Sequence, residues 1–147
     1  MTRLLAALLL LAGPAQAADA WEGTYDCAQG RTGLTLTIEP DGPGVSALFH
    51  FYADPSRPEV PEGCFAMSGQ VDRRSGRVDL AAGRWLLQPF FYVTVDLSGT
   101  ISPDGAQLAG RVSGPGCSAF VLRRVAAPAR AAPAACTLRP TIVSQAP

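Results

Sequence analysis

The sequence LTLTIEPDGPGVSALFHF, residues 34–51, decides the fold class, because it carries the pattern of a β-hairpin. Apolar residues recur at every second position on both sides of a central turn segment, as in strands that bury one face. The turn segment PDGPG, residues 40–44, holds two prolines and two glycines, which favour a tight turn. The stretch predicts two antiparallel strands, whose apolar face is formed by Leu34, Leu36, Ile38, Val45, Ala47, Phe49 and Phe51.

Similar alternating runs fill residues 21–124, and short segments rich in Gly, Pro, Asp and Ser separate them. No part of this region shows the sustained period of a helix. The pattern predicts an all-β domain with eight strands, at about 21–27, 33–39, 45–52, 64–72, 76–81, 90–97, 106–113 and 117–124. Because nearly every link is short, successive strands should pair antiparallel. Such a compact meander closes into a small barrel or flattens into a sandwich, and both remain open here.

The chain has 147 residues, enough for one folded domain. Residues 1–17 have the pattern of a secretory signal peptide, with a positive charge before an apolar run over 4–12 and Ala15-Gln16-Ala17 at the cleavage site. The apolar run is too short to cross a bilayer, which takes about 20 residues. We expect cleavage after Ala17, or after Ala20, and a periplasmic or secreted protein whose β-barrel domain covers 18–124.

Residues 125–147 differ in composition from the domain before them. Twelve of these 23 residues are Ala or Pro. Spaced prolines oppose a helix and favour an extended, poorly ordered chain. We interpret this segment as a disordered tail, with a tether to a partner as the functional alternative.

Four cysteines, an even number, fall within the expected mature chain. In an exported protein this favours two disulfides over free thiols or a metal site, and no C-x-x-C motif or second histidine supports a metal. In a closed antiparallel meander of eight strands, the end of the first strand lies beside the start of the eighth. Cys27 and Cys117 occupy those positions, which predicts the pair Cys27–Cys117 and leaves Cys64–Cys136 to hold the tail.

Charge and motifs argue against several function classes. The 12 Arg and Lys balance the 12 Asp and Glu, so we expect no nucleic-acid partner, and no later apolar run is long enough for stable membrane insertion. No G-x-S-x-G, phosphate-binding loop or EF-hand spacing occurs, and no cofactor is implied. The lone histidine, His50, alternates with two phenylalanines and is expected on the solvent face of its strand. Glu59 and Glu62 are interpreted as a solubilising pair. The chain is therefore not expected to be an enzyme.

The segment GRWLLQPFFY, residues 83–92, is the first candidate binding surface. It combines aromatic residues with an arginine, the residue types that dominate interface hot spots. We predict binding roles for Arg84, Trp85, Phe90 and Tyr92. The alternative is that Trp85 and Phe90 complete the core at one end of the barrel.

Four arginines form a second candidate surface. Arg73, Arg74 and Arg77 lie around a predicted hairpin turn, and with Arg84 they are expected to cluster where they can hold an anionic or acidic partner. The alternative is a solvated hairpin tip partly neutralised by Asp72 and Asp79. The long connection 53–63, with three prolines, is a third candidate, since its stiffness suits insertion into a partner's groove.

Several short motifs resemble small exported β-domains of proteobacteria. They are Trp21-x-Gly23-x-Tyr25-x-Cys27-x-x-Gly30, Thr35-x-Thr37-x-Glu39, Gly83-x-Trp85 with Gln88-Pro89, and Gly114-Pro115-Gly116-Cys117-x-x-Phe120-x-Leu122. The segment from Tyr25 to Gly30 is also similar to the start of periplasmic C-type lysozyme inhibitors, which are small β-barrels. Those inhibitors present a Ser-Gly loop to the enzyme cleft. The resemblance implies that role for Ser75-Gly76-Arg77 or Ser98-Gly99-Thr100, although the Tyr expected after Ser-Gly is absent.

These observations predict an exported, non-catalytic module that binds an unknown protein through its surface. Inhibition of a cell-wall hydrolase is one form of that function. The alternative is a carrier of a small apolar ligand in the mouth of the barrel, lined by Trp85, Phe90 and Phe51.

Overall fold

The computed structural model describes residues 17–138. The predicted signal segment, apart from its last residue, and the last nine residues of the tail lie outside the described part of the chain. The predicted all-β fold is confirmed, with eight strands: β1 (Asp19–Cys27), β2 (Gly30–Asp41), β3 (Gly44–Ala53), β4 (Gly63–Val71), β5 (Arg77–Leu87), β6 (Asp96–Ile101), β7 (Gln107–Ser113) and β8 (Ala119–Val125). Among the described residues, no helix is long and apolar enough to span a membrane.

The strands form a closed barrel, not a two-sheet sandwich. Each strand pairs antiparallel with the next, and β1 pairs with β8 from Ala20↔Val125 to Tyr25↔Phe120. Closure of the sheet leaves the first and last strands without a free edge, so the barrel needs no second layer to protect them.

The fifth and sixth strands differ from the prediction. Strand β5 continues to Leu87 instead of ending near 81, and β6 begins at Asp96 instead of near 90. The ladder between these strands covers only four residue pairs, from Arg77↔Thr100 to Leu80↔Leu97. The predicted strand at 90–97 was wrong because the alternation of Phe91, Val93, Val95 and Leu97 continues past the point where the chain leaves the sheet. Only the last two of these side chains are buried.

Alternate side chains of every strand fill the interior. The core includes Trp21, Tyr25, Leu36, Phe49, Phe51, Phe65, Leu80, Leu97, Leu108 and Phe120, all nearly inaccessible to solvent. One end of the barrel is closed by Trp21, whose ring lies 4.2 Å from the Arg124 guanidinium. Arg124 in turn contacts Asp19 at 2.6 Å and donates to the carbonyl oxygen of Gly105. A cation over an aromatic face stabilises this end of the core.

Both predicted disulfides are present. Cys27–Cys117 joins the end of β1 to the link before β8, and Cys64–Cys136 joins the start of β4 to the C-terminal segment. The first of these closes a sequence separation of 90 residues, for which chain entropy alone gives about 4–5 kcal/mol of stabilisation. The predicted disordered tail begins one residue later than expected, since Val125 still belongs to β8. Residues 126–138 have no regular secondary structure, and residues 139–147 lie outside the described part of the chain.

Closure requires a glycine in β1. A Cβ atom added to Gly23 would lie 2.0 Å from the carbonyl oxygen of Val121 in β8. We expect Gly23→Ala to lower the free energy of unfolding by 3 kcal/mol or more, about the cost of severe overpacking, because only the backbone can yield. Gly42→Ala is the matched control, since Gly42 has a positive φ of 57° but open space around it, and should cost only about 1 kcal/mol. Urea unfolding measures both, and equal losses would contradict the close-packing argument.

Candidate binding site at one end of the barrel

The connections of the barrel alternate between its two ends. The links 28–29, 54–62, 88–95 and 114–118 lie at one end, here called the cavity end, and the turns 42–43, 72–76 and 102–106 lie at the other, the turn end. The predicted binding residues are divided between them. Trp85, Phe90 and Tyr92 belong to the cavity end, whereas Arg73 and Arg74 lie in a turn at the other.

The predicted arginine cluster does not form as one group. Arg84 is seven residues along β5 from Arg77, or roughly 23 Å at the rise of a strand. Arg77 is held by Asp79, with 2.6 Å between Nε and Oδ2. Asp72 accepts backbone hydrogen bonds from Arg74 and Ser75, which lowers the pKa of its carboxyl group. Arg73, Arg74 and Arg77 are exposed at the turn end and Arg84 lies apart from them, so the four do not share one surface, and a binding role for the first three stays a prediction.

Trp85 and Tyr92 pack against the core. The Trp85 ring meets Phe65 edge-on, with centroids 5.1 Å apart. Tyr92 stacks on Phe51 at 5.4 Å with an interplanar angle of 11°. Both side chains are half-buried, so the rings fix the position of the backbone on either side of the connection between β5 and β6.

Phe90 and Phe91 are exposed at the tip of that connection. We call residues 88–95 the aromatic loop. The exposed fractions of these side chains are 84% and 89%, the highest of the large apolar residues in the described chain. Their ring centroids lie 4.1 Å apart, so the two rings form one apolar projection. The sequence alternative that Phe90 completes the core is therefore wrong.

The backbone of the tip is strained. The Tyr92 amide donates to the carbonyl oxygen of Pro89 at 3.2 Å and so closes a four-residue turn. Phe91, the third residue of the turn, has a φ of 64°, the sole positive value at a described residue other than glycine. A type II turn requires a positive φ at this position and usually has glycine there. A bulky residue in this conformation costs about 1–2 kcal/mol, and strain of this kind concentrates at functional positions.

An apolar cavity of about 350 Å³ opens beside the aromatic loop. Its floor is formed by rings that belong to the core, among them Tyr25, Phe49 and Phe65. Phe91 and Val93 stand at its mouth, opposite Ala28 and Pro115, and the Cys27–Cys117 disulfide forms part of the wall. Of the residues expected to line the mouth of the barrel, Phe51 lines this cavity, whereas Trp85 and Phe90 do not.

The sequence did not single out Tyr25, Phe49 or Phe65 as site residues. Alternation correctly placed Phe49 on the apolar face of its strand, but an interior residue at an open end has the same pattern as one at the centre. The sequence did contain one indication of the site. Cys27 and Cys117 were expected at one end of the barrel, and core residues close to them in the strands lie near that end.

The structure places His50 differently from the prediction. It does point outward from β3, but only 1% of its surface is exposed, so its expected place on the solvent face was wrong. The long connection 54–62 and residues 126–138, here called the C-terminal strap, cover it. His50 Nε2 lies 2.7 Å from Glu62 Oε1, so Glu62 has a specific partner and is not simply a solubilising group.

The C-terminal strap crosses the outer faces of β1 to β4. The Ala129 amide donates to Glu22 on β1. The Arg130 guanidinium lies 4.8 Å from the ring of Tyr52 on β3, and its Nε is 3.2 Å from Glu62 Oε1. The Cys64–Cys136 disulfide then fixes the strap to β4. The hydrogen bond from Arg130, supported by that with His50, lowers the pKa of Glu62.

The two Ser-Gly pairs that the resemblance to lysozyme inhibitors singled out have different surroundings. Ser75-Gly76 lies in the turn between β4 and β5, where Gly76 has a φ of 77°. Ser98-Gly99 lies within β6, and the Ser98 hydroxyl donates to Asp79. Of these two pairs, Ser75-Gly76 is therefore the one on a loop, and that loop is at the opposite end from the aromatic loop.

No family model, curated protein or solved structure matches the chain. Within residues 17–138, no group of three or more His, Cys, Asp or Glu side chains is arranged to hold a metal ion.

Replacing Phe91 with glycine tests the strain in the aromatic loop. Because glycine adopts a positive φ freely, we expect Phe91→Gly to raise the free energy of unfolding by about 1 kcal/mol. Phe90→Gly is the matched control, because Phe90 is as exposed but has no positive φ, and should give no gain. Denaturant unfolding compares the two. A loss of stability in Phe91→Gly would contradict the prediction, because it would show that contacts of the Phe91 ring stabilise the fold by more than the positive φ destabilises it.

Acid should weaken the contact of the C-terminal strap with Glu62. The folded state lowers the pKa of Glu62, so the carboxylate stabilises the fold above the pKa of the unfolded chain, near 4.5. This stabilisation is lost as the pH falls through the lower, folded pKa. The free energy of unfolding should therefore decrease less between about pH 5 and pH 3 in Glu62→Gln than in the wild type. Arg130→Gln should have the same effect, whereas curves parallel to the wild type would contradict the coupling.

Proposed function

We propose that the protein is an exported, non-catalytic module that binds another protein through the aromatic loop. The observation that carries this proposal is the exposure of Phe90 and Phe91 together, on a backbone strained at Phe91. Isolated exposed apolar residues are ordinary, but two adjacent phenylalanines beside the exposed Val93 make a contiguous apolar projection. Burying such rings against a partner is favourable, since each phenylalanine gains about 1.5–3 kcal/mol.

The loop is preorganised for binding. Tyr92 anchors it by stacking on Phe51, and Gln88 Nε2 donates to the carbonyl oxygen of Tyr92 at 3.0 Å. Pro89 restricts the backbone directly before the tip. Little conformational entropy then remains to be lost on association, which raises affinity for a given contact area.

Export is supported by two features of the chain. Two disulfides occur in a domain of small size, the usage typical of an oxidising compartment. The N-terminal segment has the signal-peptide pattern described above. The absence of a catalytic role is supported by His50, which is buried and paired with Glu62 instead of facing a cleft.

Site-specific cross-linking tests the binding surface. A photoreactive p-benzoylphenylalanine would replace Phe90 in one variant and Val121 in another, since Val121 is an exposed apolar residue of β8, 53% accessible. In intact cells we expect a discrete cross-linked protein from position 90 and none from position 121. The identified partner should then bind Phe90→Ser at least tenfold more weakly than wild type, as for a hot-spot residue, and Val121→Ser within about twofold. Equal cross-linking at both positions, or unchanged affinity of Phe90→Ser, would refute the proposal.

A C-type lysozyme is the first defined partner to assay, given the resemblance of residues 25–30 to its periplasmic inhibitors. Inhibition that Phe90→Ser abolishes would support recognition through the aromatic loop. Inhibition abolished instead by a change at Ser75 would transfer the binding surface to the turn end of the barrel, where Ser75-Gly76 lies.

A further inference from the structure

We propose that the cavity beside the aromatic loop binds a small neutral molecule with an apolar ring system and one hydrogen-bond acceptor, which Tyr25 recognises. This function differs from protein recognition by the tip of the loop, although Phe91 and Val93 belong to both surfaces. Phe90, the residue on which that recognition is tested, does not line the cavity.

The size and floor of the cavity fit an apolar ring. The cavity holds about 350 Å³, and an apolar cavity of roughly 150 Å³ is enough to hold benzene. Two fused rings therefore fit. Phe49 and Phe65 at the floor are stacked, with centroids 4.6 Å apart and an interplanar angle of 14°. This pair is almost inaccessible and backs the floor, so the rings that a flat ligand can contact directly are those of Phe91 and Tyr92.

The walls resist collapse onto the empty space. The Cys27–Cys117 disulfide holds β1 and the link before β8 together on one side. On the other side, Tyr92 is held by its stack with Phe51. Next to the disulfide, the backbones of Ala28 and Gly116 are in close contact, since a Cβ on Gly116 would lie 2.9 Å from that of Ala28. A cavity with fixed walls keeps its shape, so a ligand meets a largely formed site.

The polar groups of the cavity select a neutral ligand. None of the described residues in its lining is charged, so a carboxylate or ammonium group would lose its hydration without a partner. Gln29 Nε2 donates to the Tyr25 hydroxyl oxygen at 3.1 Å, and the Thr32 hydroxyl is its other polar neighbour, so a ligand acceptor takes the Tyr25 proton in place of Thr32. Burial raises the pKa of Tyr25, so this hydroxyl stays protonated at neutral pH. One acceptor, such as a ketone or ether oxygen, satisfies it.

Titration of the full disulfide-bonded chain with 2-acetylnaphthalene tests the inference, by calorimetry and by chemical-shift changes in NMR spectra. We expect saturable binding of one molecule per chain, with shifts at Tyr25, Phe49 and Val95. The anion 2-naphthoate should bind at least tenfold more weakly. Failure of 2-acetylnaphthalene to bind, equal binding of the anion, or shifts confined to the turn end of the barrel would each overturn the proposal.

Matched variants locate the site. Val93→Asp places a charge at the mouth of the cavity, and Val121→Asp makes the same change at an exposed valine on the outer face of β8. We expect about tenfold weaker binding for the first and a change within twofold for the second. Equal effects would refute the location.

Substitution of the Tyr25 hydroxyl tests the hydrogen bond separately. Tyr25→Phe should weaken 2-acetylnaphthalene by about fivefold, the worth of one neutral hydrogen bond, and leave naphthalene, which has no acceptor, unchanged. Equal weakening of both probes would show that Tyr25 only shapes the cavity and would overturn the predicted acceptor. Because these measurements use no protein partner, their failure is distinguishable from failure of the surface proposal.

Discussion

The pairing of β1 with β8 is the constraint on which the rest of the structure depends. It turns an antiparallel meander into a barrel, and the Cys27–Cys117 disulfide makes it covalent at one end. Gly23 lets the two backbones approach closely in the middle of this ladder. The interior becomes a single core only because these strands meet, since an open sheet of the same residues would leave Trp21 and Phe120 on an uncovered face.

The two ends of this barrel are completed in different ways. At the turn end, Trp21 fills the interior beneath Arg124, and short turns join the strands. At the cavity end, the core stops at the stacked rings of Phe49 and Phe65, and a disulfide and the aromatic loop surround the space beyond them. A disulfide constrains the backbone without occupying the interior. The strands can therefore end with an open space between them at a smaller cost in stability than a core cavity without such support.

Alternation and turn chemistry were sufficient to predict eight antiparallel strands, and closure of the meander predicted the Cys27–Cys117 disulfide, which left Cys64 to pair with Cys136. The errors share one cause, because alternation reports which face a side chain is on and not what covers that face. His50 points outward as its position in the alternation requires, yet the connection 54–62 and the C-terminal strap bury it, and Arg130 of the strap reaches Glu62, the partner of His50, from 68 residues away in sequence. Phe91 continues an apolar alternation, but the ladder between β5 and β6 stops at Leu80↔Leu97 and the ring is exposed. The length of a strand ladder and the burial of an outer face by a distant segment both depend on tertiary contacts, which a local sequence pattern does not record.

These contacts also decide where the cavity end can adapt. The C-terminal strap and the Cys64–Cys136 disulfide hold the outer faces of β1 to β4, so the half of the rim that these strands build is fixed from outside as well as by the core. Residues 93–95 belong to no strand, and the aromatic loop is held by side-chain stacking and two local hydrogen bonds. The turn at 89–92 keeps its shape through these contacts, so any adjustment of the rim to an occupant falls on residues 93–95. Because Phe91 and Val93 lie at the cavity mouth and in the exposed loop at once, a ligand that covers them also changes the surface offered to a protein.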